Sequence, residues 1–444
     1  MSTMLRTTLG LIGLAASAAA QAQPRPPSGP DGLNYRLGVT VEHSDNMARR
    51  PVAVADTAIA PTLGFAWLVR GARGEFEAAG DVTYRNYVEN RFDNELNQSL
   101  GANGRWIFLP ERLSWAFQGS IADQPLDPFR VDAPDNRQRT RVFLTGPTLA
   151  IRPAPTLRML GELRYMHTSA ERTPEFDGGR FGAAVRTLYE ISPLQTLSGE
   201  VESVDVDFDL DTAAIDYRRD DAFLRYSQQG ARGEWNADVG YSRVRFDRAL
   251  PGASRTESQP LVRLRMARDL GEITRFELDV QRSFGDSAQD LLDGAPRAED
   301  YALPIGRTPM RNAFLTPDLF LQTGGRAGLA RRDESLYLRL DGQWRRQEYL
   351  RVSGLDQTIR GFSVSANRQV RATFSLGGQA AADWRRFSAI DREDRDTRIA
   401  LFANWQTSRR TGLSLELSRN ERQSTDNAQD YDDNRIVLSF NLVR

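Results

Sequence analysis

All 58 basic residues of this chain are arginine, and they are where its chemistry would lie. A guanidinium group is a planar fork that grips carboxylate and phosphate with paired hydrogen bonds, which an ammonium group does not do. Arg158, Arg164, Arg263, Arg265, Arg339 and Arg345 fall on the polar phase of alternating segments. Glu162, Glu277 and Asp279 fall on the same phase. Arginines and carboxylates interleaved on one face either solvate a wide wet interior or guide an anionic solute along it. A GC-rich genome, which favours Arg codons, explains the missing lysine equally well, and composition alone does not choose between the two.

Catalysis is harder to build. Cysteine is absent, which removes disulfides, thiol chemistry and thiolate metal sites. His43 and His167 are the only imidazoles, too few for a histidine-rich metal centre. Neither G-x-S-x-G nor H-E-x-x-H occurs. Gly178-Gly179-Arg180-Phe181-Gly182 and Gly324-Gly325-Arg326-Ala327-Gly328 look like phosphate loops, yet no helical pattern follows either. Asp205, Asp207, Asp209 and Asp211 alternate along one side of a strand, without the spacing of a calcium loop, and read as a solvated acidic rim. No catalytic residue, metal site or cofactor is expected. A formal charge of −1 argues against nucleic acid as a partner.

The elements that must position these side chains are strands. Leu33, Tyr35, Leu37, Val39 and Val41 alternate with polar residues, and so do Phe276, Leu278 and Val280. Leu336, Leu338, Leu340 and Trp344 do the same, with Arg339, Asp341, Gln343 and Arg345 between them. Short connections, such as 110–112, 192–194 and 371–373, alternate with long polar ones, such as 44–56, 123–137 and 285–312. Strict short–long alternation marks an up-and-down barrel with periplasmic turns and extracellular loops. About twenty strands fit, with eighteen as the other even count. All seven tryptophans lie on the apolar phase, and Trp67, Trp106, Trp115, Trp235 and Trp405 sit beside short turns. Trp344 and Trp384 lie near the other ends of their strands. Indole favours the membrane–water interface, so two such rows suit the lipid face of a transmembrane barrel.

The expected fold is therefore all-β: a transmembrane up-and-down antiparallel β-barrel over 33–444. Residues 1–22 read as a signal peptide, with Arg6 before an apolar stretch and Ala20-Gln21-Ala22 as the cleavage site. A Pro- and Gly-rich periplasmic linker, 23–32, follows. The chain is expected in a bacterial outer membrane, with both ends of the barrel chain on the periplasmic side. Pro61, Pro147 and Pro260 fall inside strands, where bulges or strand ends must absorb the lost ladder donor. Tyr35, Trp67, Phe117, Trp235, Phe276, Leu338, Trp384 and Phe440 should face lipid, and Asp341 should be a tolerant inward position beside Leu338. The connection 285–312 is the longest and carries Leu291, Leu292, Tyr301 and Ile305, too apolar for a solvated loop. It is expected to fold over the mouth or into the lumen, with Asp286, Asp290, Asp293, Glu299 and Asp300 against wall arginines.

Two motifs carry a resemblance. Glu42-His43-Ser44-Asp45-Asn46 ends the first strand, and Trp106-Ile107-Phe108-Leu109-Pro110-Glu111-Arg112-Leu113 runs through a turn into the next. Together with the strand pattern, these resemble proteobacterial outer-membrane β-barrels associated with exopolysaccharide synthesis and exosortase (PEP-CTERM) systems. The last strand departs from the usual barrel ending in Phe or Trp, since Phe440 is followed by Asn441-Leu442-Val443-Arg444. The resemblance implies a conduit for secreted polysaccharide that works with periplasmic export proteins. Outer-membrane lipid, lipopolysaccharide and the barrel-assembly machinery would be its other partners. A diffusion porin for small, anionic solutes and a non-conducting structural or adhesive barrel are the rival readings.

Overall fold

Period-two alternation turns every second side chain to the same face, so one sheet closed on itself sorts apolar residues outward and polar ones inward. The computed structural model describes residues 32–443, apart from 128, 132, 211–213, 249–253 and 297–315. The signal-peptide and linker readings lie outside these residues, except that Gly32 opens the first strand.

Twenty strands follow in order. They are β1 (Gly32–Ser44), β2 (Asp56–Gly71), β3 (Gly74–Tyr87), β4 (Glu95–Leu109), β5 (Leu113–Pro125), β6 (Arg137–Ala154) and β7 (Leu157–Ala170). Next come β8 (Gly178–Ser192), β9 (Gln195–Phe208), β10 (Tyr217–Gly230), β11 (Gly233–Phe246), β12 (Thr256–Asp269) and β13 (Thr274–Gly285). The last seven are β14 (Phe320–Arg332), β15 (Leu336–Tyr349), β16 (Gln357–Arg371), β17 (Phe374–Phe387), β18 (Arg392–Gln406), β19 (Thr411–Ser424) and β20 (Tyr431–Val443). Each pairs antiparallel with its neighbours in sequence, and β20 pairs with β1, so the barrel is closed with no free edge. Among the described residues one α-helix, α1 (Ser287–Asp293), leaves the wall after β13.

Strands of 12 to 18 residues are longer than the 9–11 or so that a tilted crossing needs. The excess projects past the long-loop end, and the outer face records where. On β15 the outward residues are apolar from Leu336 through Trp344 and charged from Arg346 onward. Trp384 is likewise followed outward by Arg386, and Tyr241 by Arg243 and Arg245. The exposed tryptophans thus bound a girdle of Leu, Val, Ile and Phe, a surface that needs hydrocarbon against it. The lipid-facing set expected from alternation all lies on this outward phase.

The Ser-Asp-Asn element closes the seam. Ser44 Oγ donates to Asp433 Oδ1 at 2.6 Å, and Asn434 N donates to Asp45 Oδ1 at 2.8 Å. Asn46 Nδ2 donates to the Asp432 carbonyl at 2.9 Å, and Arg49 and Arg435 both reach Asp433. The first and last strands, nearly the whole chain apart in sequence, are tied by short polar side chains where their ladder ends.

The prolines are accommodated without the expected bulges at two positions. The β2–β3 ladder skips Ala60 and Pro61 but resumes in the same register, and β6–β7 does so across Gly146 and Pro147. Each proline keeps its pairing position against the preceding strand, Val39 for Pro61 and Trp115 for Pro147, so only one side of the strand opens. Pro260 lies beyond the last β12–β13 pair, at Val262, as a strand-end placement would have it. Register shifts occur instead beside short turns, as at Ile107/Leu109.

Candidate functional site

The polarity of the wall inverts at the long-loop end of β9–β11. There Val204, Val206, Phe208, Val244 and Phe246 point inward, while Asp205, Asp207, Arg243 and Arg245 point outward. Outside, the strand has left the membrane and meets water. Inside, the apolar side chains need a partner, and α1 supplies it. Leu291 and Leu292 are 4% and 1% exposed, packed with Val142, Leu144, Met166, Phe246 and Leu319. Asp286 caps the helix, accepting from the Ala288 and Gln289 backbone N–H groups, and its carboxylate lies 3.5 Å from Arg180. Beyond α1 the chain meets the far wall. A Cβ at Gly101 of β4 would fall 2.2 Å from the Pro296 carbonyl oxygen, so only glycine allows this approach. β13 and β4 are nine strands apart in a ring of twenty, so Asp286–Pro296 crosses nearly the full lumen. The rest of the loop, including Glu299, Asp300, Tyr301 and Ile305, lies outside the described residues.

This crossing divides the interior. Beneath the apolar cluster, the β7–β12 side is filled by arginines and carboxylates in equal number: Arg164, Arg186, Arg219, Arg225 and Arg263 with Glu162, Glu200, Glu202, Asp221 and Asp238. Arg186, 1% exposed, sits 2.7 Å from Glu162 and 2.9 Å from Glu200. Arg225 forks onto both oxygens of Asp238 at 2.7 and 2.8 Å. Charges this buried persist only because each has an opposite partner.

The other side holds a cavity of about 2640 Å³, lined by β12–β20, β1–β5, Arg137 of β6, the short-turn ends of β10 and β11, and α1. It reaches residues of both rims, from Arg232 and Glu272 at the short turns to Arg49 and Tyr431 near the long loops. On its wall Arg265 pairs with Asp279 at 2.9 Å, and Arg339 with Glu277 at 2.9 Å and Asp341 at 2.7 Å. Gln347 Nε2 donates to Gln322 Oε1 at 3.1 Å and Gln357 Nε2 to Gln347 Oε1 at 2.9 Å, an amide ladder across β14–β16. Gln343 Nε2 donates to Asp383 Oδ1 at 3.1 Å over Gly361, where a Cβ would lie 2.1 Å from that oxygen.

Of the nine residues singled out by sequence, Arg265, Arg339, Arg345, Glu277 and Asp279 line this cavity. Glu162, Arg164 and Arg263 are packed in the charge cluster, and Arg158 lies inward near the short-turn end of β7. Phase reading located all nine on the inner face but did not say which half of the lumen is filled. Asp341 is no tolerant position, because it accepts from both Arg326 and Arg339. Arg385, the glutamine ladder and Arg186 were not singled out. His43 and His167 both point outward, away from the interior. At the long-loop end, burial pushes the Asp318 carboxyl up despite hydrogen bonds from the Val352 and Arg351 backbone N–H groups.

Comparison with known proteins agrees with this geometry at the level of class. Residues 352–444, from within the β15–β16 loop to the closing strand, match the family described as "Putative beta-barrel porin 2". No curated protein matches the chain. Among solved structures, the copper transporter OprC superposes with a TM-score of 0.48 at 11% identity, over 95% of this chain and 82% of that one. The apoprotein form of the FrpB iron transporter from Neisseria meningitidis gives 0.49 at 8%, over 94% and 82%. A mutant of the ferric enterobactin receptor (PfeA) from Pseudomonas aeruginosa gives 0.49 at 8%, over 94% and 81%. The closed sheet and its apolar girdle define an outer-membrane β-barrel, and its last strands are similar to the porin family.

Proposed function

We propose that this protein is an outer-membrane channel for a hydrophilic, sugar-like solute, and that its cargo is a secreted polysaccharide strand. The observation that carries the reading is the wall of the undivided half of the lumen. It presents amides, hydroxyls and charges that are mostly paired already, among them the Gln322–Gln347–Gln357 ladder. Such groups offer many weak contacts and no deep one, as a conduit requires, because a strong site would stall a polymer. Periplasmic export proteins would feed the strand in at the short-turn end. Transport rather than catalysis is the role, with no histidine facing the lumen to serve a nucleophile.

A second reading is favoured by one feature. The Asp286–Pro296 crossing narrows the lumen, which suits a diffusion porin for small solutes as well as it suits a conduit. Planar-bilayer recording of the purified barrel separates the two. A conduit shows conductance steps that linear oligosaccharides interrupt for longer as their chain lengthens. A porin shows steps that small sugars traverse without length-dependent block. Correctly folded protein with no steps at all overturns both in favour of a structural barrel.

A further inference from the structure

We infer that Arg345 and Arg385 form a carboxylate-binding station on the passage wall, so that the saccharide this channel takes is an acidic one. Away from the short-turn rim, every described arginine lining the cavity has a carboxylate oxygen within 4.0 Å, these two excepted. Both also keep a buried Nε–H with no acceptor among the described residues. Guanidinium groups in a wall otherwise built from matched pairs have their charge held for something that is not part of the wall.

Their placement suits one ligand. Arg345 is opposite Ile359 on β16, and Ile359 is opposite Arg385 on β17, so the two arginines share one row. Two strand spacings separate their backbones by about 10 Å, close enough for both forks to turn on one sugar or two successive ones. The amide ladder lies one inward step toward the long loops, at Gln347 and Gln357, where hydroxyls of the same sugar would reach it. The nearest acidic groups are engaged elsewhere. Asp383 accepts from Gln343, Asp394 is forked by Arg392, and Asp396 is forked by Arg422. A carboxylate presented by a passing saccharide therefore meets two forks that no described carboxylate pairs with, that of Arg385 lying over the Phe387 ring, and a neutral sugar meets only amides.

The inference rests on the channel reading for its use, but its test does not depend on conductance. Binding of a galacturonic acid trimer to the detergent-solubilised full chain is measured by calorimetry, with maltotriose as the neutral control. The wild type should bind the acid trimer at least tenfold more tightly than maltotriose. The Arg345→Gln/Arg385→Gln variant should lose that preference, its affinity for the acid trimer falling to that for maltotriose. Arg345→Lys/Arg385→Lys, which keeps the charges in place and the wall folded, should retain part of it. Equal binding of both trimers by the wild type, or an acid preference surviving in the glutamine variant, overturns the proposal. Acid-selective binding with no bilayer conductance would sink the channel reading and leave the station standing.

Discussion

Truncating Leu291 and Leu292 together to Ala tests whether α1 is what closes half of the lumen. Burying two leucines stabilises the docked helix by about 3–6 kcal/mol, at roughly 1.5–3 kcal/mol for each side chain. Each Leu→Ala change at such a site costs about 2–5 kcal/mol, so the two together match or exceed everything the anchors supply. The barrel does not share this loss, because α1 adds no strand to the closed ladder of β1–β20. The expected outcome is a folded, heat-modifiable barrel with larger single-channel conductance than the wild type. Leu292→Ala alone leaves Leu291 in the apolar cluster, so its recordings should flicker between the two levels. A double variant that folds and conducts as the wild type does would refute the view that Asp286–Pro296 divides the lumen. The contact at Gly101 gives an independent check. Gly101→Leu drives a side chain into the Pro296 backbone and should free only the far end of the crossing.

Other consequences follow from the same geometry. Leu340→Arg, at the centre of the outward apolar run Leu336–Trp344, should destabilise the barrel by about 2–4 kcal/mol in bilayer refolding. The same change at Leu338, nearer the short-turn rim, should cost less, and equal costs would misplace the girdle. Asp433→Ala leaves Ser44 and Arg49 without their shared buried acceptor and should cost about 3–5 kcal/mol, read as a lowered urea midpoint. A midpoint unchanged by Asp433→Ala would show that the seam needs only its backbone ladder. The Asp318 carboxyl is held above its ordinary range by burial, so the folded form gains as pH falls through that raised value toward the usual carboxylate range. Amide protection of Arg351 and Val352, corrected for intrinsic exchange, should rise over that interval and lose its pH dependence in Asp318→Asn.

Strand number, connection lengths and the outward set were legible because each depends only on local period. A residue two positions along returns to the same face whatever surrounds it. Leu336, Leu338, Leu340 and Trp344 could be placed without knowing any neighbour. The proline positions were legible too, but their consequence was not. Whether Pro61 forces a bulge depends on whether β3 can lose one rung without slipping, and that is a property of the pair. Likewise Asp341 read as one more inward acid, and only the register that sets Arg326 and Arg339 around it makes it a poor site for a new charge.

What escaped sequence reading was the filled half of the lumen, although its signature is present in the chain. A strand that faces lipid keeps its apolar residues on one phase throughout. In β9 the outward phase carries Val201 and then Asp205 and Asp207, while Val204, Val206 and Phe208 take the inward one. β11 repeats the exchange, with Val239 and Tyr241 outward, then Arg243 and Arg245, against Val244 and Phe246 inward. Such an exchange has one physical meaning: the outer solvent changes from lipid to water at that height, and the inner one changes from water to protein. The apolar residues of the long connection, Leu291 and Leu292, are the partners that the inverted phase requires. Neither signal suffices alone, since a phase exchange could mark a bulge and apolar loop residues could pack on other loops. Taken together they point to a crossing segment, and the cavity runs past it along the β14–β3 side.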